Sequence, residues 1–231
     1  MNTNKTIGRI VGVLFIIGTG AGVPSMILGT RFLDAPDLLG AVAANTSQVG
    51  LIGFLVLLMG IALAMVPAMM FPILKRQNEA LAIGYVIFRG ALETFTYMAV
   101  ALCWLLLPVV AQQSADAGAV VASQYSNLGN LLTEARYPIT AVQDMVFPVG
   151  ALMFYYLLYQ ARLIPRWMSG WGFIGAILYL AAGLIAVFTG THLVPLLLVL
   201  GLQEMVMAIW LVAKGFGPGT LAPGSAKVAM T

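Results

Sequence analysis

The chain has 231 residues, of which 61% are hydrophobic and only 8% charged, and its mean hydropathy is +0.99. A water-soluble domain carries roughly a quarter of its residues as charged side chains, so most of this exterior meets something other than water, and lipid is the solvent that fits. The formal net charge of +3 belongs in such a chain to loops on the cytoplasmic side rather than to nucleic-acid binding, and one cysteine and one histidine exclude an internal disulfide and a structural zinc site.

Six apolar stretches follow in order, at residues 7–29, 49–74, 81–107, 138–159, 171–189 and 193–213. About 20 residues at 1.5 Å each cross a 30 Å hydrocarbon core, and every one of these stretches is long enough. The sequence therefore predicts an all-α integral membrane bundle of six transmembrane helices. Residues 1–216 form one transmembrane domain, and 217–231, rich in Gly, Pro and Ala, form a disordered cytoplasmic tail.

The first span follows Lys5 and Arg9 and is longer than a secretory leader's apolar region, without an A-x-A-like cleavage site, so it reads as an uncleaved helix. Its glycines Gly8, Gly12, Gly18 and Gly22 allow close helix approach, within the bundle or as a dimer face. Pro24, Pro67, Pro72 and Pro148 bend their spans. Met65, Met69 and Met70 read as adaptable packing rather than a copper site. Between the third and fourth spans, Val120, Val121, Tyr125, Leu128, Leu131 and Leu132 recur at helical spacing among polar residues. That pattern fits a surface helix or an extension of the fourth span.

Loop charge fixes the orientation. Lys5, Arg9, Lys75, Arg76, Arg162, Arg166, Lys214 and Lys227 fall on one side, and Arg31 and Arg136 on the other with Asp34, Asp37, Asp116 and Glu134. That asymmetry puts both termini in the cytoplasm, as an even number of spans requires. Trp167, Trp171 and Trp210 near one interface and Trp104 near the other read as headgroup anchors. A faint internal similarity links the stretches before the second and fourth spans' basic loops, with Pro67 to Phe71 matching Pro148 to Phe154.

Ionisable residues within spans cost about 2.5–3.5 kcal/mol each on insertion scales, which makes them the pointers to a site. Arg89 and Glu93 on the third span are one helical turn apart and share a face with Tyr85, Thr96 and Tyr97. Counted from the basic side at 1.5 Å per residue, Arg89 lies about 12 Å deep, Glu93 about 18 Å and Glu204 on the sixth span about 14 Å. One level can thus hold all three. Tyr137, Thr140 and Asp144 line one face of the fourth span. The candidate ligand-binding set is Arg89, Glu93, Glu204, Asp144, Tyr85, Tyr97 and Thr140, in a polar pocket walled by the third, fourth and sixth spans. Arg89 suits an anionic or carboxylate-bearing small molecule because its planar fork donates two parallel hydrogen bonds. The competing readings are an ion pair that only fixes helix register, and an arginine that snorkels to the interface. His192, in a short turn, is no catalytic candidate. No cofactor, metal site or catalytic residue is indicated: H-E-x-x-H, G-x-S-x-G and Cys-His arrangements are absent, and Glu93 with Glu204 is the one acid–base pair an intramembrane enzyme would have. The partners read from sequence are the lipid bilayer and a small ligand, with no nucleic acid.

Several segments together carry a family resemblance: RIVGVLF at 9–15, FPILK at 71–75, NEALAIGYVIFR at 78–89 with Glu93 after it, FPVGALMFYYLLY at 147–159, RLIPRWMSGWG at 162–172, Glu204, and WLVAKGF at 210–216. In these the chain resembles the bacterial family designated domain of unknown function 4386. The resemblance implies a multi-pass protein of the bacterial inner membrane and carries over no substrate, cofactor or catalytic residue. Arg89, Glu93 and Glu204 lie in the matching segments, which fits a binding or a structural role.

Overall fold

A computed structural model describes residues 3–191 and 193–217. His192 lies outside the described residues, as do Lys227 and all but the first residue of the tail expected to be disordered at 217–231. Among the described residues the chain is helical, without a strand: α1 (Thr3–Leu33), α2 (Leu38–Ala44), α3 (Thr46–Leu74), α4 (Glu79–Tyr85), a π-helical segment (Val86–Leu92), α5 (Glu93–Ala115), α6 (Ala119–Glu134), α7 (Arg136–Ala161), α8 (Arg166–Thr189) and α9 (Val194–Lys214).

Six helical runs are long and apolar enough to cross a membrane: Asn4–Leu33, Thr46–Leu74, Glu79–Ala115, Val121–Ala161, Arg166–Thr189 and Val194–Lys214. The sequence places the same six, with edges drawn short. Met26, Phe54, Phe95, Leu102, Phe188, Leu198 and Ile209 are exposed, whereas Arg89, Glu93, Thr96, Ser169 and Gln203 are buried in an otherwise apolar interior. An exterior with so many large apolar side chains is stable where lipid replaces water.

Two of the loops end in a side-chain cap. Asp37 accepts from the Gly40 N–H at the start of α2, and Asn78 accepts from the Leu81 N–H at the start of α4, each satisfying a donor that the first turn leaves open. Between α6 and α7, Ala135 keeps helical dihedrals (φ −57°, ψ −22°), and its N–H bonds the Leu131 carbonyl. The amphipathic segment thus extends the fourth span.

The contacts divide the chain into two compact units, and the divisions fall inside long helices. Among the described residues, the first unit takes in the stretches up to 16, from 62 to 94 and from 143 on, and the second 17–61 and 95–142. In the first, α8 and α9 pack along their lengths, and α1 lies against α9 where Gly8 and Gly12 have no side chain: a Cβ on either would collide with Phe216, or with Ala208 and Leu211. Gly215, at φ +68°, sits on the Lys5 backbone, and the Gly217 N–H bonds the Leu163 carbonyl. The first turn of α1, the end of α9 and the α7–α8 turn therefore meet at one place. Only glycine combines that left-handed φ with the lack of a Cβ the contact demands.

In the second unit Trp104 is buried, with Phe32 edge-on at 6.5 Å, Gly29 beneath its indole and the Arg136 guanidinium 4.6 Å from its ring centroid. This corrects the reading of Trp104 as a headgroup anchor: the arginine and the neighbouring ring give the indole an interior place. Gly22 packs on Met59, Gly53 on Leu105, Gly60 on Tyr97, and Gly129 of α6 on Leu39 of α2.

Candidate functional site

The polar core of the first unit begins with an irregularity in the third span. From Val86 to Leu92 the helix widens to i→i+5 bonding, seen where the Glu93 N–H reaches the Phe88 carbonyl. The hydroxyl of Thr94 also approaches the Arg89 carbonyl at 3.4 Å. Gly90 lies under Pro67, and Gly150 of α7 brings its backbone against Phe88 and Arg89, so the wide turn is held closely from both sides. Such π turns inside α-helices recur at functional sites.

Arg89 sits in this turn with 3% exposure and Glu93 follows with 1%. One guanidinium nitrogen of Arg89 lies 3.2 Å from Glu93 Oε2, and the other lies 3.3 Å from Glu204 Oε1 on α9. The guanidinium carbon is 4.6 Å from the Phe147 ring centroid and 5.6 Å from that of Phe15. Two carboxylates and two aromatic faces thus surround one cation in the low-dielectric interior, where charge–charge and cation–π attraction are both strengthened. Arg89 is held within the bundle rather than snorkelling. Glu204 retains 15% exposure.

Around this trio lies an aromatic layer. Tyr85 is buried and stacks on Phe154 at 4.7 Å, Phe154 meets Tyr155 at 5.3 Å, and Phe15 approaches Phe154 at 6.5 Å. The Tyr155 hydroxyl donates to Gln203 Oε1, and Gln203 Nε2 donates to the Met168 carbonyl at 3.1 Å. That string ties α7, α9 and α8 together, and Gly172 makes room for the Tyr155 ring. One turn beyond Phe147, Asp144 accepts a 3.0 Å hydrogen bond from the Tyr179 hydroxyl, and the Tyr179 and Phe147 rings meet edge-on at 5.0 Å.

Of the residues singled out from sequence, Arg89, Glu93 and Glu204 are in direct contact. Tyr85 lies beside them, and Asp144 stands on the far side of Phe147. Tyr97 and Thr140 are placed in the second unit, Tyr97 buried on Gly60 and Thr140 exposed. Sequence reasoning missed Phe15, Phe147, Phe154 and Tyr155, because an aromatic in an apolar run gives no sign of what its ring touches. The one available signal was Gln203, a second polar residue beside Glu204 on the sixth span.

Fold and core together define a multi-pass helical membrane protein with three ionisable side chains clustered in its interior. The family model described as Domain of unknown function (DUF4386) matches residues 10–215, and the chain belongs to that family. Searches of the curated proteins and of the solved structures returned no match.

Proposed function

We propose that the protein binds a small charged solute within the membrane, as a transport or sensing module, at the site formed by Arg89, Glu93 and Glu204 with Asp144 and Tyr85 beside them. One observation carries this reading. Three ionisable side chains converge on a π turn in the interior of an otherwise apolar unit, and ionisable groups so placed mark solute and ion paths. Tyr97 and Thr140, the other two residues expected from sequence to bind the ligand, belong to the second unit. Alanine at Arg89 and glutamine at Glu204 should each abolish solute-dependent thermal stabilisation of the purified protein. Phenylalanine at Tyr97 and valine at Thr140 should leave it intact if those residues stand apart. Solute responses identical in wild type and both core variants would remove the site.

A second reading rests on the groups that enclose Arg89: with two carboxylates and two rings about it, the cluster would serve only to lock α9 against the third span. It predicts loss of stability without any solute response.

The loop charges support cytoplasmic termini, and membership of the family supports a bacterial inner-membrane location, for residues 1–216 as one transmembrane domain with 217–231 as its cytoplasmic tail. In a Cys103→Ala background, Asn78→Cys should react with impermeant thiol reagents only from inverted vesicles, and Asn130→Cys only from right-side-out ones. The opposite pattern would reverse the topology.

A further inference from the structure

Tyr85 brings a buried hydroxyl into the polar core without a hydrogen bond among the described residues. Its side chain is 1% exposed and held by stacking on Phe154, and its hydroxyl lies in the field of Arg89, Glu204 and Glu93. Among the described residues that hydroxyl has no hydrogen-bond partner. Buried hydroxyls are nearly always bonded, so an oxygen fixed in this way points to a group the chain does not itself supply. Glu204 provides a matching feature. Its Oε1 takes Arg89, its Oε2 has no hydrogen bond or ion pair among the described residues, and it is the least buried of the three ionisable groups.

Charge sets the sign of what fits. Arg89 is the one buried cation among the described residues, and it already faces two carboxylates. With both acids ionised the trio carries a net single negative charge. An anion arriving here would meet two carboxylates around an engaged guanidinium, whereas a cation would complete the balance. Two acceptor atoms, Glu204 Oε2 and Tyr85 Oη, stand open here, which disfavours a metal ion needing six or more oxygen ligands and favours an ammonium ion.

Resting on the solute-binding reading above, we infer that the site takes an organic ammonium ion. Its N–H groups donate to Glu204 Oε2 and Tyr85 Oη. The exchange starts from a protonated Glu204, which leaves the trio without net charge. On binding, the Glu204 O–H bond breaks, the proton leaves to water, and an N–H to carboxylate contact replaces it, with no electron transfer. The titratable and charged groups facing Glu204 are Arg89 and Glu93 from the third span, Tyr85 from α4 and Tyr155 from α7. Tyr179 of α8 and Asp144 stand beyond Phe147. Ammonium binding and proton release are therefore coupled at this carboxylate.

The test uses the full chain in detergent micelles, with an amine series from methylammonium to benzylammonium and the shape-matched carboxylates from acetate to benzoate. Thermal shift and proton release into weak buffer are recorded together. At least one amine should stabilise the wild type with proton release, while the carboxylates do neither. Glu204→Gln should abolish both responses. Tyr85→Phe should raise the stability of the solute-free protein, since it removes an unbonded hydroxyl while keeping the stack, yet weaken amine binding about tenfold. That variant keeps the test decisive if Glu204→Gln does not fold. Stabilisation by carboxylates and not by amines would overturn the ammonium inference and leave a solute site standing. Silence toward both series in folded wild type would overturn both.

Discussion

Arg89 and Arg136 both lie within the long membrane-crossing runs, and their charges are accommodated in opposite ways. Arg89, in the first unit, is held by two carboxylates and two phenylalanine rings at full burial. Arg136, in the second unit, is half-buried in the first turn of α7, lays its guanidinium on Trp104, and gives its Nε–H to the Thr133 carbonyl. No carboxylate within 4.0 Å of Arg136 is found among the described residues. A cation near a helix end is served by a ring and a carbonyl, because its remaining donors can still reach polar surroundings. A cation in the interior needs opposite charge. The difference teaches that the acids at Glu93 and Glu204 are a requirement of where Arg89 sits, and that their excess over one positive charge is the feature left to explain.

The largest expected effect comes from breaking the first of these arrangements. Arg89→Ala strands two buried carboxylates and should cost about 3–5 kcal/mol of stability, read as a collapse in detergent-extracted yield and melting temperature. Combining Arg89→Met with Glu93→Gln and Glu204→Gln removes every charge at once and should restore most of that stability, as replacing a whole buried ion pair by apolar or neutral groups often does. If the triple variant melts like wild type and no longer responds to solutes, the trio is there for binding. A triple variant as unstable as Arg89→Ala would show that the charges themselves hold the unit together.

A mid-sized effect tests the packing that presents the trio. Alanine at Gly172 would press its methyl group into the Tyr155 ring and disturb the hydrogen bonds that join α7 to α9 and α8. The expected loss is about 1–3 kcal/mol. Gly20, in the second unit, has open space where a Cβ would go, and Gly20→Ala should be silent. Equal melting temperatures for the two variants would mean that Tyr155 does not position α9 as the hydrogen bonds indicate.

The six spans were legible because a lipid solvent demands long apolar runs, and that demand is written residue by residue. The meeting of Arg89 with Glu204 was legible for a related reason: charge in hydrocarbon must find charge, and counting helical rise put both at one depth. The π turn was not. Propensity and periodicity describe i→i+4 ladders, and nothing in VIFRGAL specifies a fifth-residue step; it emerges from the close approach of Pro67 to Gly90 and of Gly150 to Arg89. Trp104 was misplaced for a similar reason. An indole near a span's end satisfies the rule for interface anchors, yet Arg136, distant in sequence, supplies a partner that makes burial favourable. The helical face expected to join Tyr137, Thr140 and Asp144 also divides: Tyr137 and Thr140 are exposed while Asp144 bonds Tyr179.

The smallest expected effect belongs to Arg136. Its guanidinium lies over Trp104 without a carboxylate, so Arg136→Ala removes one cation–π contact and one hydrogen bond to a carbonyl, and leaves no buried charge behind. About 0.5–1 kcal/mol is the scale for an incompletely desolvated contact of this kind, far below the loss expected at Arg89. Tryptophan fluorescence offers a local check, since removing the cation from Trp104 should shift its emission while the melting temperature moves only slightly. Arg136→Lys should recover little, because an ammonium cannot lie flat on the indole as the planar guanidinium does. A loss at Arg136 as large as that at Arg89 would mean that the second unit also depends on a buried charge, and the contrast between the two arginines would fail.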